Sequence, residues 1–143
     1  MQYYKVLDNG RIECLLCVHY CKLKEGQVGI CGVNKNENGK LVNLVYNHPS
    51  AINIDPVEKK PLYHFLPGSS VLSIGTVGCN FKCPFCQNWQ ISQTNKIDKS
   101  LEVTPYDMMN IVAKYRCDCV AFTYNEPTIF YPYAKDIAEL VKL

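Results

Sequence analysis

Apolar and polar positions divide the chain into two stretches of different rhythm. From residue 70 onward, short apolar runs alternate with segments of helical period. VLSIGT, residues 71–76, is a continuous apolar run that predicts a buried strand. TPYDMMNIVAKY predicts a helix: Thr104 stands as N-cap, Pro105 at the first helical position and Asp107 three residues after the cap. Met108, Ile111, Val112 and Tyr115 form its apolar face. CVAFTY, residues 119–124, predicts a second buried strand, and TIFYPYAKDIAELVKL a second helix, still running when the sequence stops, with Pro132 tolerated early. Strand, loop, helix, twice over, implies an α/β fold with a parallel sheet and right-handed crossovers. Its sites would lie at the C-terminal ends of the strands.

The first stretch reads differently. It holds six of the eight glycines, a cysteine-rich knot from Cys14 to Cys31, and Asn38-Gly39 between polar and apolar runs, which predicts a hairpin turn. NHPSAINIDPVEKKPLYHFLPGSS follows, where Pro49, Pro56, Pro61 and Pro67 argue against any regular element. The expected division is residues 1–69, a cysteine-rich module with a proline-rich loop, and 70–143, two βα units.

Charge narrows the function classes. A net charge of +2 with scattered basic residues argues against a nucleic-acid surface. No leader pattern opens the chain and no apolar run is long enough to cross a bilayer, so a soluble, cytoplasmic protein is expected. Nine cysteines, an odd number in C-x2-C and C-x3-C clusters, fit metal ligation in a reducing compartment better than a disulfide framework.

GCNFKCPFCQNWQ places Cys79, Cys83 and Cys86 at C-x3-C-x2-C in the loop after the first confident strand. Three thiolates could hold zinc with water in the fourth position, or three corners of a 4Fe-4S cube whose fourth iron stays open. At the end of the second strand, Tyr124-Asn125-Glu126-Pro127 falls on the same side of the sheet.

The triad, with Phe85 before its last cysteine, resembles the signature of the radical S-adenosylmethionine (radical SAM) superfamily. The resemblance implies a partial TIM-like (β/α) barrel and a 4Fe-4S cluster on Cys79, Cys83 and Cys86. It also implies SAM chelated at the open iron and cleaved reductively to methionine and a 5'-deoxyadenosyl radical. Phe85 would then contribute backbone contacts and apolar cover near the adenine. Glu126 is the leading candidate to receive the SAM amino group, with Asn125 beside it; the family's usual glycine pair is replaced here by Tyr124-Asn125.

Longer stretches, NIDPVEKKPLYHFLPGS, SIGTVGCNFKCPFCQNWQIS, TYNEPTIF and the N-terminal CLLCVHYCKLKEGQVGICGVN, resemble the radical SAM component of the AmmeMemoRadiSam system. That branch, AmrS, is similar to the activating enzymes of pyruvate formate-lyase. The resemblance implies an electron donor such as flavodoxin or ferredoxin and AmmeMemoRadiSam partner proteins. It makes the proline-rich loop a lid over substrate, with Lys60 and His64 as substrate contacts against the default of a solvated basic loop. A glycyl-radical-enzyme activating protein is the neighbouring alternative, and a noncatalytic metal-binding module the alternative from another class.

Cys14, Cys17, Cys21 and Cys31, at C-x2-C-x3-C-x9-C with glycines around them, read as a closed four-thiolate site. Zinc, whose binding would supply folding energy, and a second iron-sulfur cluster are both open; four reduced cysteines are the bland reading. His19 reads as partly exposed. Cys117 and Cys119, with one spacer residue, read as packing residues, and Trp89 and Asn88 either as cover for the cluster or as ordinary packing. The 57 residues after Cys86 leave room for about two βα units, whereas a full barrel takes about 250 residues. A fragment, an early termination product or half of a split enzyme is therefore expected.

Overall fold

The computed structural model describes residues 3–142. Three short strands open it: β1 (Tyr4–Val6), β2 (Ile12–Cys14) and β3 (Lys22–Leu23) form an antiparallel sheet in that order. β4 (Asn34–Glu37) and β5 (Lys40–Asn43) form a hairpin whose turn is Asn38-Gly39. Both turn residues have positive φ, 53° and 73°. That twist matches the flanking strands, which is why Asn-Gly closes two-residue hairpins.

The principal sheet has the order β6-β7-β8. β7 (Ser70–Gly75) and β8 (Cys119–Phe122) are parallel, Val71 opposite Cys119 and Ile74 opposite Phe122, and α2 (Pro105–Tyr115) connects them. The expected capping box on α2 is present: Asp107 N–H donates to Thr104 Oγ1, and Thr104 N–H donates to Asp107 Oδ2 at 2.8 Å. A 3-10 turn (Pro127–Phe130) leads into α3 (Tyr131–Leu140), with Pro132 in the first turn. A four-residue helix, α1 (Trp89–Ser92), follows the cysteine triad.

Three expectations are corrected. The proline-rich stretch contains a regular strand, β6 (Ala51–Pro56), antiparallel to β7 along its whole length. β6 is the edge of its sheet, and Pro56 closes it, where a missing N–H costs no ladder bond inside the sheet. Tyr115 is 54% exposed at the end of α2, while Met108 and Val112 are buried, so the apolar face is narrower than its pattern. The last helix ends at Leu140 and does not run on to the end of the chain.

The sheet's two faces have separate fates because alternate side chains point to opposite sides. Leu72 and Ile74 of β7 pack with Met108, Val112, Tyr133 and Ile137 under α2 and α3. Asn53 and Asp55 of β6, opposite Ser73 and Val71, and Ala121 of β8 lie on the other face, away from the helices. A second apolar cluster joins the two parts of the chain: Cys31, Val33 and Val45 pack against Val77, Ile129, Phe130 and Ala134.

Candidate functional site

The triad loop begins where β7 ends, and Gly78 sets its course. Gly78 has φ +83°, and a Cβ there would lie 2.5 Å from the Cys31 carbonyl and 2.7 Å from Val33. The backbone therefore passes against the N-terminal module immediately before Cys79. Gly78 N–H donates to Ile91 O at 3.0 Å, which folds α1 back onto the loop.

Asn125 staples the ends of β7 and β8 together. Its Nδ2 donates to Gly78 O at 2.7 Å and to Thr76 Oγ1 at 3.0 Å, and its Oδ1 accepts from Thr76 N–H at 3.3 Å. Both donors and the acceptor are engaged within the protein. Asn125 thus holds the triad loop beside Glu126.

Among the expected triad ligands, Cys79 is buried, Cys86 half-buried and Cys83 exposed, all as free thiols. Phe81 N–H donates to Cys79 Sγ at 3.5 Å, and Cys86 Sγ lies 3.2 Å from the hydroxyl of the buried Ser92. Phe85 is 86% exposed. Glu126 is half-buried and accepts from Thr128 N–H at 3.3 Å, capping the 3-10 turn through Oε1. It lines a cavity of about 350 Å³ with Cys17, Asn80 and Phe81, between the N-terminal module and the triad loop. His19, exposed as read, spans that gap: its Nε2 donates to the Asn80 carbonyl at 3.2 Å.

Cys14, Cys17, Cys21 and Cys31 are also free thiols. Burial pushes the Cys14 thiol up to about 11, with the neighbouring Cys31, Cys17 and Cys21 charges acting in the same direction. Yet among the described residues no three or more His, Cys, Asp or Glu side chains stand where they could hold one metal ion. The donor chemistry nonetheless fits an iron-sulfur cluster: three free thiols sit on one loop, and residues 81–85, between two of them, are exposed. Closing that stretch around a cluster would break no core packing. Cys117 is buried and Cys119 half-buried; burial raises both thiols, as their reading as packing residues requires.

A polar cavity of about 580 Å³ lies on the helix-free side of the sheet, lined in part by Asn53, Asp55, Lys60, Gln87, Asn88 and Tyr124. Lys60 is brought here from the proline-rich segment. His64 is not: it lies on the exposed 61–68 turn and does not line the cavity. Sequence reasoning passed over Asn53 and Asp55. The alternation in AINIDP was the available signal, obscured by the prolines around it.

The parallel pair β7 and β8 thus carries a thiol-bearing loop and an acidic loop at its C-terminal end. The sequence model of the Radical SAM superfamily matches residues 73–143, from within β7 to the end of the chain. The matched residues make up just under half of the chain. The chain is also similar to an uncharacterized protein of Methanocaldococcus jannaschii, 38% identical over 141 residues, which are 98% of this chain and 42% of that protein. It therefore spans about two fifths of the length of the relative it matches. No solved structure matches it.

Proposed function

We propose that this chain is a radical SAM enzyme, or the N-terminal portion of one, of the AmmeMemoRadiSam branch. Cys79, Cys83 and Cys86 would hold a 4Fe-4S cluster, which when bound supplies the electron that cleaves SAM to methionine and a 5'-deoxyadenosyl radical. The observation that carries this reading is the junction of three free thiols with the Asn125 staple at the C-terminal ends of parallel β7 and β8, inside the matched segment. Glu126, with one oxygen outside its cap bond, would receive an amino group. Phe85, exposed on the loop, would close over an apolar ring and exclude water. Asn125 acts by position, keeping both loops at one height.

The four N-terminal cysteines would take zinc or a second iron-sulfur cluster and brace the module that packs behind Gly78. An external electron donor of the flavodoxin or ferredoxin kind and AmmeMemoRadiSam partners belong to the same reading. The division into an N-terminal module (1–69) and a core (70–143) is then one of labour, since both parts share the second apolar cluster. No helix among the described residues is long and apolar enough to cross a membrane, which is compatible with a cytoplasmic site of action.

Anaerobic reconstitution with iron and sulfide, then incubation with SAM and a strong reductant, tests the proposal. The expected products are a cluster of about four irons per chain and 5'-deoxyadenosine. Failure to bind iron through the triad would sink the reading. A second reading, a metal-binding module without catalysis, is favoured by the three-stranded sheet, whose β8 edge has no further strand among the described residues. Iron uptake without 5'-deoxyadenosine, even on addition of further barrel units in trans, decides for it.

A further inference from the structure

The cavity on the helix-free face has features that a cluster and SAM do not explain. Its walls are Gln87 and Asn88, directly after Cys86, and Thr123 and Tyr124, directly before Asn125. It therefore adjoins both loops of the proposed reaction centre.

Its charge is unbalanced by one. Two lysines and one aspartate line it. Lys59, exposed, donates to Asp55 Oδ1 at 2.7 Å. Lys60 reaches Asp55 Oδ2 only at 3.5 Å, the outer limit of a hydrogen bond, and its side chain is just 15% exposed. An ammonium has three donors, and this one uses a single weak contact. It stands instead 4.9 Å above the centre of the Tyr124 ring, whose electron-rich face holds a cation without consuming its N–H groups.

The backbone is strained to put that ring there. Tyr124 has φ +70°, a conformation a bulky residue adopts at a cost and which marks functional positions. Gly75 yields the space: a Cβ at Gly75 would lie 2.9 Å from Tyr124 Cδ2 and 2.7 Å from Thr123 O. Asn53 Nδ2 then fixes the ring by donating to Tyr124 Oη at 3.0 Å. Ser73, opposite Asn53 in the register, has a fully buried hydroxyl without a hydrogen-bond partner among the described residues.

Resting on the radical SAM reading of the adjoining loops, we propose that this cavity binds the carboxylate of the substrate, with Lys60 as the receiving cation on a Tyr124 platform. One surplus positive charge matches one carboxylate. A phosphate dianion would be opposed by Asp55 on the same lysine, and a cationic ligand by the surplus itself. The volume, about 580 Å³, is that of a site for a whole small molecule, so the carboxylate would anchor one end and leave the rest toward the triad loop.

The test is a titration of the full 143-residue chain, free of iron, with propionate, read by NMR at the Lys60 side chain and the Tyr124 ring. Saturable shifts at both are expected with propionate, weaker ones with inorganic phosphate and none with methylammonium. Lys60→Gln should weaken propionate at least tenfold, Lys60→Arg should restore most of it, and Lys59→Gln, which frees Asp55 to compete for Lys60, should weaken it by less than Lys60→Gln does. Far-UV circular dichroism of each variant checks that it folds. Equal losses from Lys59→Gln and Lys60→Gln, or propionate shifts elsewhere only, would overturn the inference. Added SAM should leave propionate bound; if SAM displaces it, the carboxylate received is SAM's own and the inference fails. Propionate binding in a chain that takes up no cluster defeats the proposed function alone, and cluster uptake without propionate binding defeats this inference alone.

Discussion

Glycine matters at single positions here for reasons of space as much as of conformation. At Gly78 a side chain would need both a left-handed backbone and room that the Cys31 carbonyl and Val33 already fill. Gly68 has a similar φ, +77°, but nothing within 4 Å of its would-be Cβ. The pair separates the two costs. Gly68→Ala should destabilise by about 1 kcal/mol, the backbone term. Gly78→Ala should lose about 2–4 kcal/mol, because overpacking against backbone adds to that term. Urea unfolding of the two variants against the parent checks it, and equal losses would refute the crowding argument. The same scale shows what residue identities alone conveyed. The Asn38-Gly39 turn was legible because the motif carries its own geometry. The role of Asn125 was not, since its partners Thr76 and Gly78 lie across the sheet and only the folded register brings them within reach.

Among the elements, α2 was read from sequence in mechanism and not only in extent. Its cap residues are local, so local sequence specifies them; its exposed Tyr115 depends on which neighbours arrive, and the pattern misplaced it. β6 was lost for the converse reason. Proline counts describe a stretch, whereas proline at the end of an edge strand is compatible with pairing. The capping box yields a prediction with a pH signature. Hydrogen bonds from the Thr104 hydroxyl and then the Thr104 N–H hold the Asp107 carboxyl below its ordinary value. A carboxyl depressed in the folded state contributes stability that is present above its ordinary value, about 3.9, and lost as pH falls through the folded value. Thr104→Ala should cost about 1 kcal/mol near neutral pH. The thermal midpoint of the parent should fall below about pH 4, and the variant's should fall less steeply over the same range. Parallel pH profiles would detach Asp107 from the cap.

In the whole molecule, a network of amides joins the parts. Asn34 Nδ2 and Asn43 Nδ2 both donate to Ile129 O at 2.8 Å, and Asn43 also donates to Asn34 Oδ1 at 2.8 Å. Ile129 belongs to the turn that follows Glu126, so the N-terminal hairpin is tied to the acidic loop. Asn34→Ala should cost about 2–3 kcal/mol, because it leaves buried partners short of a bond. Unfolding should remain one transition, since the second apolar cluster spans both parts. Trp89 fluorescence and far-UV circular dichroism would report it by coincident curves in urea. Two separated transitions would mean that the module and the core fold independently.

The same coupling sets the terms on which the two cysteine groups are independent. Gly78 against Cys31 and His19 against Asn80 put the module in contact with the triad loop, so the fold couples the two proposed metal sites. Cys83 discriminates between these cases because it is exposed and contributes no packing, so its replacement removes a ligand and little else. Cys83→Ala should leave the unfolding midpoint of the metal-free chain within about 0.5 kcal/mol of the parent, the range of surface substitutions. After reconstitution its triad iron should fall to background, whereas the metal held by Cys14, Cys17, Cys21 and Cys31 stays at parental stoichiometry by elemental analysis. On the proposed reading, removing one thiolate of three would leave a cube with two protein ligands, while the four N-terminal thiolates would keep their full donor set. If both metals disappear together from a variant that still folds, the contacts at Gly78 and Asn80 carry more than support, and the seven cysteines of the two groups act as one metal-dependent unit.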